Sequence, residues 1–328
     1  MHIFNKQGVL TGRAFLLSQI LVGFVFAALP NFLVAQSELQ AKKHIFIESS
    51  EYLNSFTIHE DKIYSIDRYL INISIHDMNG AQIKRVGRSG NGPGEFNDPP
   101  NKIFHHIDSP IAVIDDKRME IKLYDKDLNL LKKSLKLRLP PSDADYSKKG
   151  EFIICTLPLT DNDSITIFDQ NQKLISSFSP DIAPGNFLLN SFYVNALPDE
   201  KILVSYRFKN LFQVYNKDGI LTDSFRLPDF PSVVETVNLN TDSPHGKNIP
   251  KDLMFFSPSV DENGHIFILS AKYGLHANRM VYQVEPTGTL INTFILDQKS
   301  GQIKVNDNKL YSLSTADPNS LLVYSLVE

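Results

Sequence analysis

Cysteine is all but missing. Cys155 is the single one in 328 residues, so no internal disulfide can form and the fold must be held by burial. Cations are also in slight deficit: 33 Lys and Arg stand against 37 Asp and Glu, a net charge of −4. Residues 1–35 hold Lys6, Arg13 and no acid, so the rest of the chain stands at −6. A mildly acidic body without clustered cations excludes nucleic acid as the expected partner. No Gly-x-Ser-x-Gly elbow occurs. Cys155 itself lies in the apolar run Phe152-Ile153-Ile154-Cys155-Thr156, where a thiol serves as a small hydrophobe and not as a nucleophile. The histidines at 44, 59, 76, 245, 265 and 276 lack His-x-His and His-Glu-x-x-His spacing. The adjacent pair His105-His106 would point to opposite faces of a strand and so could not close on one ion. Beyond residue 40 no segment sustains a helical period.

What the chain does have begins with a basic start, Lys6 and Arg13, a largely apolar run over 15–29, and Phe32-Leu33-Val34-Ala35 before Gln36-Ser37. That order of basic, apolar and small-then-polar residues is the layout of a secretory signal peptide. Cleavage is expected after Ala35, with Ala28 as second choice, giving a signal peptide over 1–35 and a mature domain over 36–328. The protein is then exported, periplasmic or secreted, with no membrane span after cleavage. The alternative is an uncleaved N-terminal anchor, since 15–35 is long enough to span a bilayer.

The body repeats. An apolar strand is followed by a second strand ending in an aromatic or apolar residue and an acid or amide, then a turn and a third strand. The turns are Ile75-His76-Asp77-Met78-Asn79-Gly80, Leu123-Tyr124-Asp125-Lys126-Asp127-Leu128, Ile167-Phe168-Asp169-Gln170-Asn171-Gln172 and Val214-Tyr215-Asn216-Lys217-Asp218-Gly219, with a looser copy at 282–288. Asp, Asn and Gly suit a tight hairpin because they tolerate positive φ or bond their own backbone. The copies recur every forty-odd residues, the spacing of a four-stranded propeller blade. One matching strand precedes each turn, at 62–66, 111–115, 152–156, 202–205 and 265–269, and a sixth lies at 309–313. Six such strands predict an all-β, six-bladed β-propeller of four-stranded antiparallel blades. The last copy is one strand short. The orphan segment His44-Ile45-Phe46-Ile47-Glu48 is expected to complete it, closing the ring and removing exposed sheet edges.

Gly87-Arg88-Ser89-Gly90-Asn91-Gly92-Pro93-Gly94-Glu95-Phe96-Asn97-Asp98-Pro99 resembles the inter-blade linker of NHL-type propellers, and Pro184-Gly185-Asn186-Phe187 is a remnant of the same pattern. The region from about 44 to 328 resembles six-bladed propellers common in the envelopes of Bacteroidetes-like bacteria. The resemblance implies the fold. It leaves function open, because such propellers include lyases, lactonases, receptors and scaffolds. From the lactonase and lyase relatives it also implies a possible axial calcium, for which Asp67, Asp115 and Asp161 are the acids at equivalent strand ends. The glycines of the linker are read as serving the crossing from one blade to the next. A phosphate loop would need to enter a helix N-terminus, and here prolines and a strand follow.

Loops leaving the second strand of each blade should share one face. They carry Arg68 and Tyr69, Lys117 and Arg118, Arg207 and Lys209, then Lys272, Tyr273, His276 and Arg279, while blade three offers Asp161 and Asp163. Cations with aromatics between them around a funnel would attract an anionic ligand. Arg68, Tyr69, Arg118, Arg207, Lys209, Tyr273, His276 and Arg279 are therefore the candidate ligand-binding residues. An insertion over 229–251 breaks the period and should fall on the same face, with Phe230, His245 and Lys247 as candidate contacts. The expected function is an extracytoplasmic binding or scaffold propeller, a monomer without a required cofactor, whose partner is a small molecule, glycan or protein. The competing class is a metal-dependent hydrolase or lyase of the lactonase and lyase type, needing three inward ligands around one point. A third is partner binding through an apolar patch on the insertion.

Overall fold

The computed structural model describes residues 36–106, 108–157, 163–180, 186–238, 248–273 and 276–327. The expected signal peptide, and with it Asp161, Pro184, Gly185, His245 and Lys247, lie outside the described residues. Every regular element described is a β-strand. The first two are β1 (Gln36–Leu39) and β2 (Lys43–Phe46). Blade one is β3 (Leu53–His59), β4 (Lys62–Asp67), β5 (Asn72–Asp77) and β6 (Gln82–Val86). Blade two is β7 (Lys102–Phe104), β8 (Ile111–Asp115), β9 (Glu120–Tyr124) and β10 (Leu130–Lys136). Blade three is β11 (Pro141–Tyr146), β12 (Phe152–Thr156), β13 (Ile165–Phe168) and β14 (Leu174–Phe178). Blade four is β15 (Phe192–Ala196), β16 (Ile202–Tyr206), β17 (Phe212–Tyr215) and β18 (Leu221–Phe225).

A separate hairpin of β19 (Thr236–Asn238) and β20 (Asn248–Pro250) follows. Blade five is β21 (Ser259–Val260), β22 (Ile266–Leu269), β23 (Met280–Val284) and β24 (Leu290–Leu296). Blade six is β25 (Ser300–Asn306), β26 (Lys309–Ser314) and β27 (Ser320–Ser325), completed by β2. The six strands expected from the repeat are thus the second strands of the six blades.

Burial explains the pattern. Second strands such as β8 and β16 are buried on both faces because neighbouring blades cover them, so they read as unbroken apolar runs. Each core cluster mixes residues of adjacent blades, as Ile66 and Ile75 of blade one do with Ile103 and Val113 of blade two. The outermost strands face solvent and are polar: β6 reads Gln-Ile-Lys-Arg-Val and β10 Leu-Leu-Lys-Lys-Ser-Leu-Lys. Charge on an open edge strand discourages edge-to-edge pairing. The hairpin turns share one device. Asp77 Oδ1 accepts from the N–H groups of Asn79 and Ala81, Asp125 Oδ1 from Asp127 and Asn129, Asp169 Oδ1 from Asn171 and Lys173, and Asn216 Oδ1 from Asp218 and Ile220.

Ring closure follows the expected segment with a shift of one or two residues. β2 runs antiparallel to β27, with Lys43 opposite Val323 and Phe46 opposite Ser320. Ile45 and Ile47 are buried between blades six and one. Gly80 allows this approach: at φ +91° an added Cβ would stand 1.9 Å from the Phe46 carbonyl oxygen. β1 was not foreseen. It lies parallel to β24 as a fifth strand on blade five, Gln36 opposite Thr293 and Leu39 opposite Leu296, and Asp297 fixes the crossing by accepting from Ala41 N (3.2 Å) and Tyr324 Oη (2.8 Å).

The innermost strands β3, β7, β11, β15, β21 and β25 are linked by side chains. Ser55 Oγ accepts from Ile103 N, Asp143 Oδ2 from Val194 N, Asp145 Oδ2 from Ala196 N and Ser259 Oγ from Val305 N, at 2.9–3.3 Å. In each case one blade satisfies backbone donors on the inner edge of the next, groups costly to bury unpaired. Because strands alternate in direction, the loops after second strands and the linkers between blades emerge together on one face, the upper face. The insertion follows β18 and belongs to that face, where Phe230 packs 4.9 Å from Phe255 and 5.7 Å from Tyr282.

Candidate functional site

The upper-face cations separate into those already spent and those left open. Arg118 follows β8 and is mostly buried. Its Nη2 donates to the Gly90 carbonyl at 2.7 Å and to Asn97 Oδ1 at 3.4 Å, and its Nε lies 3.7 Å from Asp115. It staples the glycine-rich linker, whose Glu95 also accepts from Gly92 N and Arg88 Nε at 2.6 Å. Arg279 donates Nε to the Leu296 carbonyl at 2.6 Å and is spent within blade five. His276 contributes a backbone turn, its carbonyl accepting from Arg279 N and Met280 N. Tyr273 packs on the core of blades four and five, and its phenol accepts from Glu235 N of the insertion at 3.1 Å. Lys272 pairs with Asp252 at 2.7 Å and Lys117 with Asp98 at 3.5 Å.

Arg207 and Lys209, in the loop between β16 and β17, are different. The Arg207 guanidinium stands 5.0 Å from the Tyr193 ring centre and 5.8 Å from that of Phe208, and it engages the Tyr193 phenol. Its Nε is buried with no hydrogen-bond partner among the described residues. Lys209 donates to Asn190 Oδ1 at 2.5 Å and lies 5.5 Å from the Tyr206 ring centre. Burial holds its pKa below that of an ordinary lysine. Neither cation has a carboxylate partner among the described residues. Burial likewise raises the Tyr193 phenol, with Arg207 opposing the shift.

Arg68 and Tyr69 lie at blade one. With Asn54, Asp98, Asn101, Asp116 and Lys117, Arg68 lines a cavity of about 260 Å³. Sequence reasoning placed the loops on one face but missed the innermost-strand residues beneath them. Lys102 and Asp143 form an ion pair at 2.6 Å, and Lys304 on β25 interacts electrostatically with Lys102, Asp143 and Asp145 of blades two and three. Burial holds the Lys304 pKa down, helped by Lys102. The available signal was a charge on a strand already flanked by buried apolar residues, as in Lys102-Ile103-Phe104 and Ile303-Lys304-Val305.

Two of the three acids considered for an axial cation cap loops at second-strand ends. Asp67 accepts from Ser50, Glu51, Tyr52, Tyr69 and Leu70, and Asp115 binds Lys122 at 2.7 Å. Among the described residues no group of three His, Cys, Asp or Glu side chains is placed to hold a metal ion. His105 and His106 fall just beyond β7 and not within it, and His105 stacks on His59 with ring centres 3.6 Å apart. Cys155 is buried, with Sγ 3.2 Å from Ser142 Oγ, and burial pushes its thiol up to about 12.

Six sheets arranged radially, each built on four antiparallel strands, with β2 completing the last and β1 added to the fifth, define a six-bladed β-propeller. The chain belongs to the DUF5128 family of 6-bladed beta-propellers, whose profile matches residues 39–254. No curated protein matches it in sequence. Among solved structures it is similar to a Bacteroides fragilis protein named as a candidate exported protein, at 12% identity over 88% of this chain and 97% of that one, with a TM-score of 0.60. It is also similar to virginiamycin B lyase from Staphylococcus aureus, at 10% identity over 87% and 88% of the two chains, TM-score 0.54. The WD40 repeats of RRP9 match at 10% identity over 88% and 99%, TM-score 0.59. At these identities the likeness is one of fold alone.

Proposed function

We propose that this propeller is an exported binding module whose upper face takes an anionic ligand at Arg207 and Lys209, against Tyr193, Tyr206 and Phe208. One observation carries the reading: two half-buried cations share a loop, and among the described residues neither has a carboxylate and the Arg207 Nε has no hydrogen-bond partner. Desolvated charge of one sign is costly until a counter-charge arrives. A carboxylate, sulfate or phosphate group would accept from Arg207 and Lys209 together, with the rings shielding it from water. The N-terminal basic and apolar pattern supports export, as does the fold shared with the Bacteroides fragilis protein. Among the described residues no helix is long and apolar enough to cross a membrane.

The test is calorimetric titration at low salt with inorganic phosphate and a panel of mono- and dicarboxylates. Binding should weaken about tenfold or more in Arg207→Gln and in Lys209→Gln, and should fade as salt rises. Unchanged affinity in both variants would remove the reading. Export is checked separately by cell fractionation and by N-terminal sequencing of the recovered protein, which should begin at Gln36.

A further inference from the structure

Blade one carries a second arrangement, of different chemistry. The buried Asp67 carboxylate accepts five hydrogen bonds: from Ser50 Oγ (2.6 Å), Glu51 N (2.5 Å), Tyr52 N (3.0 Å), Tyr69 N (2.9 Å) and Leu70 N (2.8 Å). Burial alone would raise its pKa, but the hydrogen bonds outweigh burial and hold it below the ordinary carboxylate value. One side chain therefore locks two loops together, the one entering β3 and the one leaving β4. Arg68 N adds a 2.8 Å bond to the Tyr52 carbonyl.

The locked loops present Tyr52 and Tyr69 to solvent, 38% and 66% exposed, with ring centres 5.3 Å apart and planes inclined by 50°. Exposed tyrosines held by a buried carboxylate are rigid apolar surface offered at little entropic cost. Arg68, between them in sequence and bonding, also lines the 260 Å³ cavity with Asn54, Asp98, Asn101, Asp116 and Lys117.

The cavity contains two cations, two carboxylates and two amides, so it has no net charge. Carboxylates only accept hydrogen bonds, guanidinium and ammonium groups only donate, and amides do both. An anion would face Asp98 and Asp116. An apolar ligand would strip water from these six polar side chains, the Lys117–Asp98 pair and the already bonded Asn54 among them, and offer none of them a hydrogen bond. A ring of hydroxyls, each both donor and acceptor, matches that set, and the C–H face of a sugar ring matches the tyrosines. We infer that the upper face where blades one and two meet is a carbohydrate subsite, with a neutral sugar ring against Tyr69 and Tyr52 of blade one and its hydroxyls in the cavity.

The site is independent of Arg207 and Lys209 and is tested apart from them. The protein is titrated with neutral oligosaccharides (maltohexaose, cellohexaose, xylohexaose and mannohexaose) by calorimetry and by tyrosine fluorescence, which no tryptophan masks. At least one should bind. Tyr69→Ala and Asp116→Ala should each weaken it about tenfold, while Arg207→Gln leaves it unchanged. The inference is overturned if no member of the panel binds, or if both variants bind as the parent does. Tyr69 is exposed, so its removal spares the fold, and an unchanged melting temperature would confirm that.

Discussion

Lys102 on the innermost strand of blade two places its Nζ 2.6 Å from Oδ1 of Asp143 on the innermost strand of blade three. Asp143 Oδ2 in turn accepts from Val194 N of blade four at 3.0 Å. One carboxylate thus ties three blades together at the axis. Burial by itself would lower the Lys102 pKa, but Asp143 and Asp145 outweigh it and hold the ammonium above the usual lysine value. Asp143→Ala strands a buried ammonium and a backbone donor, and should cost about 3–5 kcal/mol in urea unfolding. The double variant Lys102→Met with Asp143→Asn removes the charge and keeps an acceptor for Val194, so it should lose less. Equal losses would show that the pair is not coupled.

Three histidines make stability depend on pH. Burial lowers the pKa of His59 and His76, and burial with His59 and His106 nearby takes His105 down to about 3. The unfolded chain takes up these protons below about pH 6.5, whereas the folded protein resists them. Their stabilisation is therefore complete above pH 6.5 and shrinks as pH falls, for His105 until about pH 3. At pH 5 the His105 share of the loss is about 2 kcal/mol. Urea midpoints measured from pH 7.5 to 5 should fall, and His105→Asn should flatten the slope. A level profile in the parent protein would contradict this.

Arg118 and Arg207 occupy equivalent loops but should behave oppositely. Arg118→Ala frees the 87–99 linker and should cost about 1–3 kcal/mol, with faster amide exchange at Gly90 and Asn97. Arg207→Gln removes a half-buried cation that has no carboxylate partner among the described residues and should leave the melting temperature level or raised. If Arg207→Gln were the more damaging change, the distinction between staple and binding residue would fail.

Closure of the ring rests on the buried side chains of Ile45 in β2 and Ile47 just after it. Ile45→Asp places a charge between blades six and one, where Ile45 is 1% exposed, and should cost about 3–5 kcal/mol by chemical denaturation. Deleting residues 36–41 removes β1 but spares β2, and should cost much less. A mild Ile45→Asp variant would mean that the ring holds without its closing strand.

The second strands and the turns were legible because their cause is local: buried runs such as Ile111–Asp115, and an Asp or Asn whose side chain bonds the next two turn donors. The closing strand was legible because Ile45-Phe46-Ile47 is a short apolar run between polar flanks. β1 was not, since Gln-Ser-Glu-Leu on an outer edge buries little and its partner β24 is remote in sequence. Strand alternation alone puts the cation-bearing loops after second strands on one face. Which cations stay open was hidden, because Arg118 and Arg207 differ only in partners, Gly90 and Asn97 against Tyr193, that the chain brings in from other segments.

Ala41 and Asp297 are joined by a hydrogen bond across 256 positions of sequence. A chain threaded through a membrane N-terminus first would deliver β1 and β2 long before the strands that receive them. Until residues 290–325 follow, blades five and six lack edges for them to pair with, and Ile45 and Ile47 stay wet. In a chain so threaded the early strands would need shelter until then, and the final steps of folding belong to the two ends of the domain together.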